Sequence, residues 1–343
     1  MVKTNKFIYK KNKFTKKNKY NKTTISLMSF NIEGMCHKNS NIKKYIEKWR
    51  DNEDVDIIGI QELFLKNDLL KPFKYDRDLQ LKLGKMIVSS NKIENTSNID
   101  DCICLIENNS KLLDCYQYIT KRVHRLQNYL GEHLSFIYDG FTGGIFFNSD
   151  RWEPIETYLV DRLPKLTNNK PNKTCLVVKF KNLNNNRIVW VVNIHLKAGL
   201  YGMYTRHINE LSNIINQLNK NGWNGKDDTI LMGDFNNSSS KHKLVMNGLN
   251  KSNISPNKIV ELCCNGKYTQ HTKYMVCEDL YHTIPAKLCN IYPINNSLLC
   301  NNSYDGIIYL GNKKIKIIDR QIYRQEDRKP SADHDIIYSR IEF

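Results

Sequence analysis

What the chain lacks narrows its class first. No apolar run approaches the roughly 20 residues that a membrane-spanning helix needs, so no transmembrane segment is expected. The opening residues contain no apolar stretch ahead of a cleavage site, and a secretory signal is not expected either. Ten cysteines are scattered without paired CxxC repeats. Cys263, Cys264, His271 and Cys277 can be imagined around zinc, but their spacing is not that of a structural zinc site. In a chain of 343 residues, too large to depend on disulfides, the simplest expectation is reduced thiols in an intracellular protein, nuclear or cytoplasmic alike. There is no internal repeat and no clear interdomain linker.

Acid is missing altogether from residues 1–24, which hold nine lysines; removing those nine charges from the net +17 leaves +8. Tail and body are thus both basic, and polyanions are the natural partners: nucleic acid first, an anionic membrane surface second. The plainer alternative is a solvated charge run with no partner, since the excess of Lys, Asn and Ile also fits a coding bias. Residues 1–24 are expected to be disordered, with a basic tether or a nuclear localisation signal as possible roles.

What is present is a series of strands that end in polar clusters. Hydrophobic residues at 40 % fit a globular protein with one large core or two small ones. The most telling stretch is Leu231-Met232-Gly233-Asp234-Phe235-Asn236, an apolar strand over 229–232 that delivers a carboxylate and a carboxamide two residues apart. Side chains alternate along an extended segment, so Asp234 and Asn236 are expected to face one site. One residue can take a proton or orient a water, and the other can donate to an oxyanion. The plain alternative is an ordinary Asp/Asn turn at a strand end.

Further clusters sit at strand ends. A strand from Ile25 closes on Asn31-Ile32-Glu33-Gly34, and Val55 to Ile60 closes on Gln61-Glu62. The strand over 187–194 ends in Asn193-Ile194-His195-Leu196, where a histidine can be merely structural. Tyr304-Asp305-Gly306 re-enters a sheet, and Asp333-His334 precedes a last strand over 336–341. Other strands are expected over 85–90, 102–106, 144–148, 174–180 and 313–318, with a loop over 91–101. Helices are expected over 41–51, 112–130 and 205–219. The last of these carries a core stripe of Ile208, Leu211, Ile214, Ile215 and Leu218 and an Arg206–Glu210 pair. Residues 67–139 and 237–303 are weakly periodic and are read as carrying substrate-selecting insertions, the latter as helix plus long loops. Tyr268, Tyr274 and Tyr281 in the second could stack on bases or simply pack.

Carboxylates, amides and histidines in this combination suit cleavage of a phosphate ester. A hard divalent cation such as Mg²⁺, with Mn²⁺ as a substitute, takes oxygen ligands. Phosphoryl transfer needs a positioned water and donors on the phosphate oxygens. Taken in order, Ser29-Phe30-Asn31-Ile32-Glu33-Gly34, Gln61-Glu62, Asn193-Ile194-His195-Leu196, Gly233-Asp234-Phe235-Asn236, Tyr304-Asp305 and Asp333-His334 resemble the endonuclease/exonuclease/phosphatase superfamily, which includes DNase I-like nucleases and exonuclease III-type abasic endonucleases.

The resemblance implies a four-layer α/β sandwich over residues 25–343, with two packed mixed sheets flanked by helices and the site at one end between the sheets. It implies that Glu62 is the principal metal ligand, with Asn31, Glu33 and Asp333 ligating or supporting it. Asp234 would orient or deprotonate the attacking water, and Asn236 would hold the scissile phosphate. His334, held by Asp305, would donate to a phosphate oxygen, with His195 as a second phosphate contact or leaving-group aid. Asn31, too, would lie near the phosphate. Alanine at 332 replaces the serine usual in the family's Ser-Asp-His, which leaves the Asp-His pair intact. The implied activity is a metal-dependent phosphodiesterase, a nuclease foremost, acting as a monomer. A phospholipid or inositol-phosphate phosphoesterase is the alternative, although Asn302-Ser303-Tyr304-Asp305-Gly306 departs from the inositol 5-phosphatase pattern. A silent nucleic-acid-binding scaffold is the reading from another class.

Overall fold

The computed structural model describes residues 23–32, 43, 46–47, 50, 54–63, 86–88, 93–95, 110–140, 143–163, 174–198, 203–237, 240–254, 258–263, 304–323 and 334–343. Among these, fourteen strands form two mixed sheets. The first sheet has eight strands. They are β1 (Thr24–Asn31), β2 (Ile57–Gln61), β3 (Met86–Val88), β4 (Ile93–Asn95), β5 (Leu134–Tyr138), β6 (Gly144–Asn148), β13 (Lys316–Tyr323) and β14 (Ile336–Glu342), in the spatial order β13-β14-β1-β2-β6-β5-β3-β4. The second has six: β7 (Trp152–Asp161), β8 (Thr174–Asn182), β9 (Ile188–His195), β10 (Thr229–Asp234), β11 (Lys258–Cys263) and β12 (Asp305–Gly311), ordered β11-β12-β10-β9-β8-β7. Each sheet has one parallel pair near its centre, β1 with β2 and β9 with β10, and antiparallel neighbours around it. Three helices are described: α1 (Ser110–Leu130), α2 (Met203–Lys220) and α3 (Lys241–Lys251).

The period of two along each strand sorts its apolar residues into layers. In β1, Met28 and Phe30 face one core while Ile25 and Leu27 face another; in β9, Val189 and Val191 face the second core while Trp190, Val192 and Ile194 face a third. The second core, holding Ile57, Ile145, Leu176, Val178, Ile230, Met232, Ile307 and Tyr309, is the layer between the sheets. The first lies under α1, whose Ile119, Val123, Leu126 and Leu130 recur at helical spacing, and the third under α2 and α3. Helix, sheet, sheet, helix is the expected four-layer sandwich. Because both faces of each central strand are covered, these strands read as continuous apolar runs.

Several expected elements shift in physically sensible ways. The expected strand over 313–318 begins later, at Lys316, and runs to Tyr323, beyond the bend at 312–313. Within the expected surface loop 91–101, Ile93–Asn95 pairs with β3, and β11 adds a strand where only helix and loops were expected. Both lie at sheet edges, where alternation is weakest. Strands β5 and β7 went unread as well, and β7 is half-exposed along its length. Residues 43, 46, 47 and 50 are helical, as expected over 41–51. The expected strand over 102–106, the cluster Cys263/Cys264/His271/Cys277, the three tyrosines and the tail up to residue 22 lie outside the described residues or side chains.

Candidate active site

The inter-sheet core turns polar at one end. Counting by twos along the strands that fill it, Leu27 leads to Ser29 and Asn31, Ile57 to Gly59 and Gln61, Val191 to Asn193 and His195, and Ile230 and Met232 to Asp234. Tyr309 and Ile307 lead back along β12 to Asp305. The same pleat that packs the core therefore delivers the polar residues to its mouth.

Just below the mouth an amide pair joins the sheets. Gln61 Nε2 donates to Asn193 Oδ1 at 2.6 Å, and Asn193 Nδ2 donates to the Ile60 and Gly144 carbonyls at 2.9 and 3.0 Å. Gly59 opposite leaves room for this, since a Cβ there would lie 2.8 Å from Asn193 Oδ1. Asn193 is thus a structural bridge, buried and fully engaged. It holds β2, β6 and β9 in register directly beneath Glu62 and His195.

Above it the candidate residues converge. Asp234 Oδ2 accepts from Asn31 Nδ2 at 3.1 Å and from Asn236 Nδ2 at 3.0 Å, while its Oδ1 accepts from the Asn236 backbone N–H at 2.7 Å. His334 Nδ1 lies 2.7 Å from Asp305 Oδ2; a carboxylate only accepts, so Nδ1 carries the proton, and Nε2 lies 3.8 Å from Asp234. His195 Nε2 sits 3.2 Å from Glu62 Oε1 and 3.9 Å from Asp234 Oδ2. Asp234 is the hub, with contacts from four of the other candidates.

Asp234 and Asn236 share a face for a reason other than strand alternation. The strand ends at Asp234, and Asn236 sits at φ +47°, closing an Asx turn on the Asp234 carboxylate. Both readings of this stretch hold: it is an Asp/Asn turn, and it converges on the site. Gly233 makes the turn possible, with φ +138° and a position where a Cβ would lie 1.9 Å from the Ile194 carbonyl. Glu62 also adopts the left-handed region, at φ +53°. For a glutamate that conformation costs on the order of 1–3 kcal/mol, and such strain concentrates where a side chain must be aimed. Here it turns the Glu62 carboxylate towards His195.

Burial pushes the Asp234 carboxyl up, from 3.8 to about 6, and the neighbouring Asp305 charge adds to this. The positive charge of His334 and the hydrogen bonds from Asn236 and Asn31 oppose it. A carboxyl poised near 6 releases its proton in the range where a base is useful.

Among the described residues, two places could take a cation. Asp234, Asp305 and His334 bring ligand atoms within 4.8 Å of one another. The 2.7 Å hydrogen bond from His334 to Asp305 occupies that arrangement, and all three groups are buried. Glu62 is the better fit: its side chain is about a third exposed, and Asn31, whose nitrogen is given to Asp234, carries an amide oxygen of the type such a cation accepts. Carboxylate and amide oxygens suit a hard divalent cation. Glu33 and Asp333, the other expected ligands, lie outside the described residues. Of the nine expected site residues, the remaining seven, Asn31, Glu62, His195, Asp234, Asn236, Asp305 and His334, meet in this one cluster.

Sequence reasoning passed over three residues that border the site, His207, Glu210 and Asn237. It read α2 as a core stripe of Ile208, Leu211, Ile214, Ile215 and Leu218 with an Arg206–Glu210 i,i+4 pair, and assigned none of the three to the site. The pair exists at 3.1 Å, but Glu210 is fully buried while Arg206 is not, and His207 is fully buried too, whereas Ile208 is only partly buried. The available signal was helical spacing: positions 207, 210, 211, 214 and 218 share one face.

No family model and no curated protein matches the chain. Solved structures do. The chain resembles an endonuclease/exonuclease/phosphatase from Bacteroides vulgatus at TM-score 0.54 and 13 % identity, over 94 % of this chain and 99 % of that one. It resembles D. rerio TDP2 complexed with a single-strand DNA product at TM-score 0.50 and 13 % identity, over 93 % and 99 %. A mannosyl-6-phosphatase from Bacteroides thetaiotaomicron VPI-5482 scores 0.50 at 13 % identity, over 93 % and 100 %. The chain therefore has the DNase I-like sandwich of these proteins across nearly its whole length.

Proposed function

We propose that this chain is a divalent-metal-dependent phosphoesterase of the endonuclease/exonuclease/phosphatase superfamily, and specifically a nuclease that hydrolyses phosphodiester bonds in DNA or RNA. The observation that carries the reading is the convergence on Asp234 of Asn31, Asn236, His195 and the Asp305-held His334 at the open end of the inter-sheet layer.

Each group has a task that its surroundings allow. Asp234 accepts the proton of the attacking water, and its carboxylate is aimed by Asn31 and Asn236. In its charged form, with Nδ1 donating to Asp305, His334 has Nε2 left to donate to a non-bridging oxygen. Asn236, whose amide hydrogens go to Asp234 and the Leu196 carbonyl, positions the Asp234 carboxylate and, contrary to expectation, does not itself donate to the phosphate. His195 lies between Glu62 and Asp234, where it can meet a second phosphate oxygen or the leaving group. Glu62 and Asn31, with Glu33 and Asp333 as further candidates, would hold Mg²⁺ or Mn²⁺, which supplies Lewis-acid stabilisation of the phosphate charge when bound.

Nucleic acid as the substrate class rests on the net charge of +17, and the solved TDP2 carries a DNA product on the same fold. A phosphomonoesterase is the second reading, favoured by the equally similar mannosyl-6-phosphatase. The test is a panel of plasmid DNA, an abasic duplex, single-stranded RNA, sphingomyelin, an inositol phosphate and mannose 6-phosphate, each with Mg²⁺ or with EDTA. Metal-dependent cleavage of a nucleic acid is expected, with Asp234→Ala and His334→Ala each lowering kcat by about 10²–10⁴-fold. Turnover of only the small phosphate esters or the lipid would replace the nuclease reading. Binding of nucleic acid without turnover of any member would make the chain a scaffold that keeps the residues without the chemistry.

A further inference from the structure

Helix α2 packs two polar side chains, His207 and Glu210, into its buried face, and both are fully removed from solvent. Polar groups so placed cost free energy unless each finds a partner. Their partners are not in the core. Those of His207 lie on the two segments that leave β9 and β10, immediately beyond His195 and Asn236, and Glu210 reaches the first of these segments as well as Arg206 on α2 and the buried Arg162, 3.8 Å away.

The bonds can be assigned from chemistry alone. His207 Nε2 lies 2.8 Å from the Lys197 carbonyl, which can only accept, so Nε2 carries the hydrogen. Burial lowers the pKa of this ring below its ordinary value and keeps it neutral, so Nδ1 is an acceptor. Asn237 Nδ2 donates to that Nδ1 at 2.9 Å. One imidazole therefore ties residue 197, two beyond His195, to residue 237, one beyond Asn236. Glu210 holds the other end of the same residue, accepting from the Lys197 N–H at 3.1 Å, and Arg206 holds Glu210. A further link crosses between the segments where Asn236 Nδ2 donates to the Leu196 carbonyl at 3.1 Å.

We propose that His207 is a positioning residue for the reaction: through Lys197 and Asn237 it sets the spacing between His195 on one strand end and Asn236 on the next. This rests on the phosphoesterase reading for its consequence, though the clamp itself does not. A His that merely satisfied its own polarity in the core would matter for stability and not for turnover. A clamp that orients His195 and the Asn236 that aims Asp234 acts on kcat, because misplacement of the order of 1 Å there costs far more in rate than in folding.

The experiment compares the full-length wild type with His207→Phe, which keeps the ring and removes both polar atoms, and His207→Gln, which keeps one donor and one acceptor. Turnover of bis(p-nitrophenyl) phosphate and of the best substrate from the panel is measured alongside amide hydrogen exchange. The Phe variant is expected to lose at least tenfold in kcat with KM within twofold, and the Gln variant to recover most of it. Exchange in the Phe variant should accelerate at residues 196–198 and 235–237 and stay unchanged in β1, β2 and β14. Should the Phe variant misfold, Asn237→Ala cuts the same link without touching the helix and is expected to shift kcat and local exchange in the same direction. Wild-type kcat in His207→Phe or Asn237→Ala, equal losses in the Phe and Gln variants, or unchanged exchange at the two segments overturns the clamp. An inactive wild type would instead sink the phosphoesterase reading, and exchange alone would then decide whether the clamp exists.

Discussion

Asp234 carries the main electrostatic conflict of the site. It is almost completely buried, its carboxyl is pushed up to about 6, and three donor groups offset only part of the burial cost. In the window between 3.8 and about 6 the folded chain holds a proton that the unfolded chain releases. The folded state then binds more protons, so this group's contribution to stability falls as pH rises. Asp234→Asn removes the titration and keeps most of the hydrogen-bonding capacity. The stability of the Asn variant relative to wild type, from urea unfolding in EDTA, should rise between pH 4 and 6 and then level. A flat difference across that range would assign the titration to another group. At this scale the sequence was a good guide to identity and a poor one to cause. Asp234 and Asn236 were expected together from strand alternation and are brought together by a turn. Asn193 was grouped with the reactive residues, yet all of its hydrogen-bonding capacity serves the join between sheets.

That join makes a prediction at the level of elements. Asn193→Leu would leave the Ile60 and Gly144 carbonyls without this partner in a dry layer, and Gln61 Nε2 with only its 3.2 Å bond to Ser29 Oγ. Each buried polar group stranded this way costs about 1–3 kcal/mol, so a loss of roughly 3 kcal/mol or more in chemical denaturation is expected. Asn193→Asp should be no better, because it turns an oxygen towards two carbonyls. If either variant unfolded at the wild-type denaturant midpoint, the inter-sheet bridge would be dispensable. Strands β1, β2, β9 and β10 were legible in sequence because their apolar runs end in polar clusters, whereas the equally buried β5 carries no such cluster and went unread. Edge strands β4, β7 and β11 were not legible either, since a strand paired on one side tolerates Pro154, Glu156 and Lys258 and loses its pattern. The polar face of α2 escaped notice for the opposite reason. A buried His or Glu looks like a surface residue until its partners on other elements are known.

For the molecule as a whole the decisive quantity is charge, and the boundary of the fold sharpens its test. All nine lysines of the amino-terminal region fall within residues 1–22, whereas Thr23 and Thr24 belong to the sandwich. The Thr23 carbonyl accepts from the Phe343 N–H at 3.0 Å, its hydroxyl accepts from Asn185, and Thr24 pairs with Glu342. A deletion through residue 24 would therefore confound charge with damage to β1, and the informative deletion stops at residue 22. That truncation lowers the net charge from +17 to +8 and leaves the site untouched. Neutralising phosphates releases counterions, so the dependence of log affinity on log salt scales with the number of lysines engaged, at roughly 0.7 per contact on single strands. If the tail binds nucleic acid, truncation should reduce the salt slope by several units and weaken binding most at low salt. Turnover of bis(p-nitrophenyl) phosphate, too small to reach the tail, should be unchanged. An identical slope in the truncated protein would move nucleic-acid attraction onto the sandwich itself, whose remaining +8 would then have to account for it.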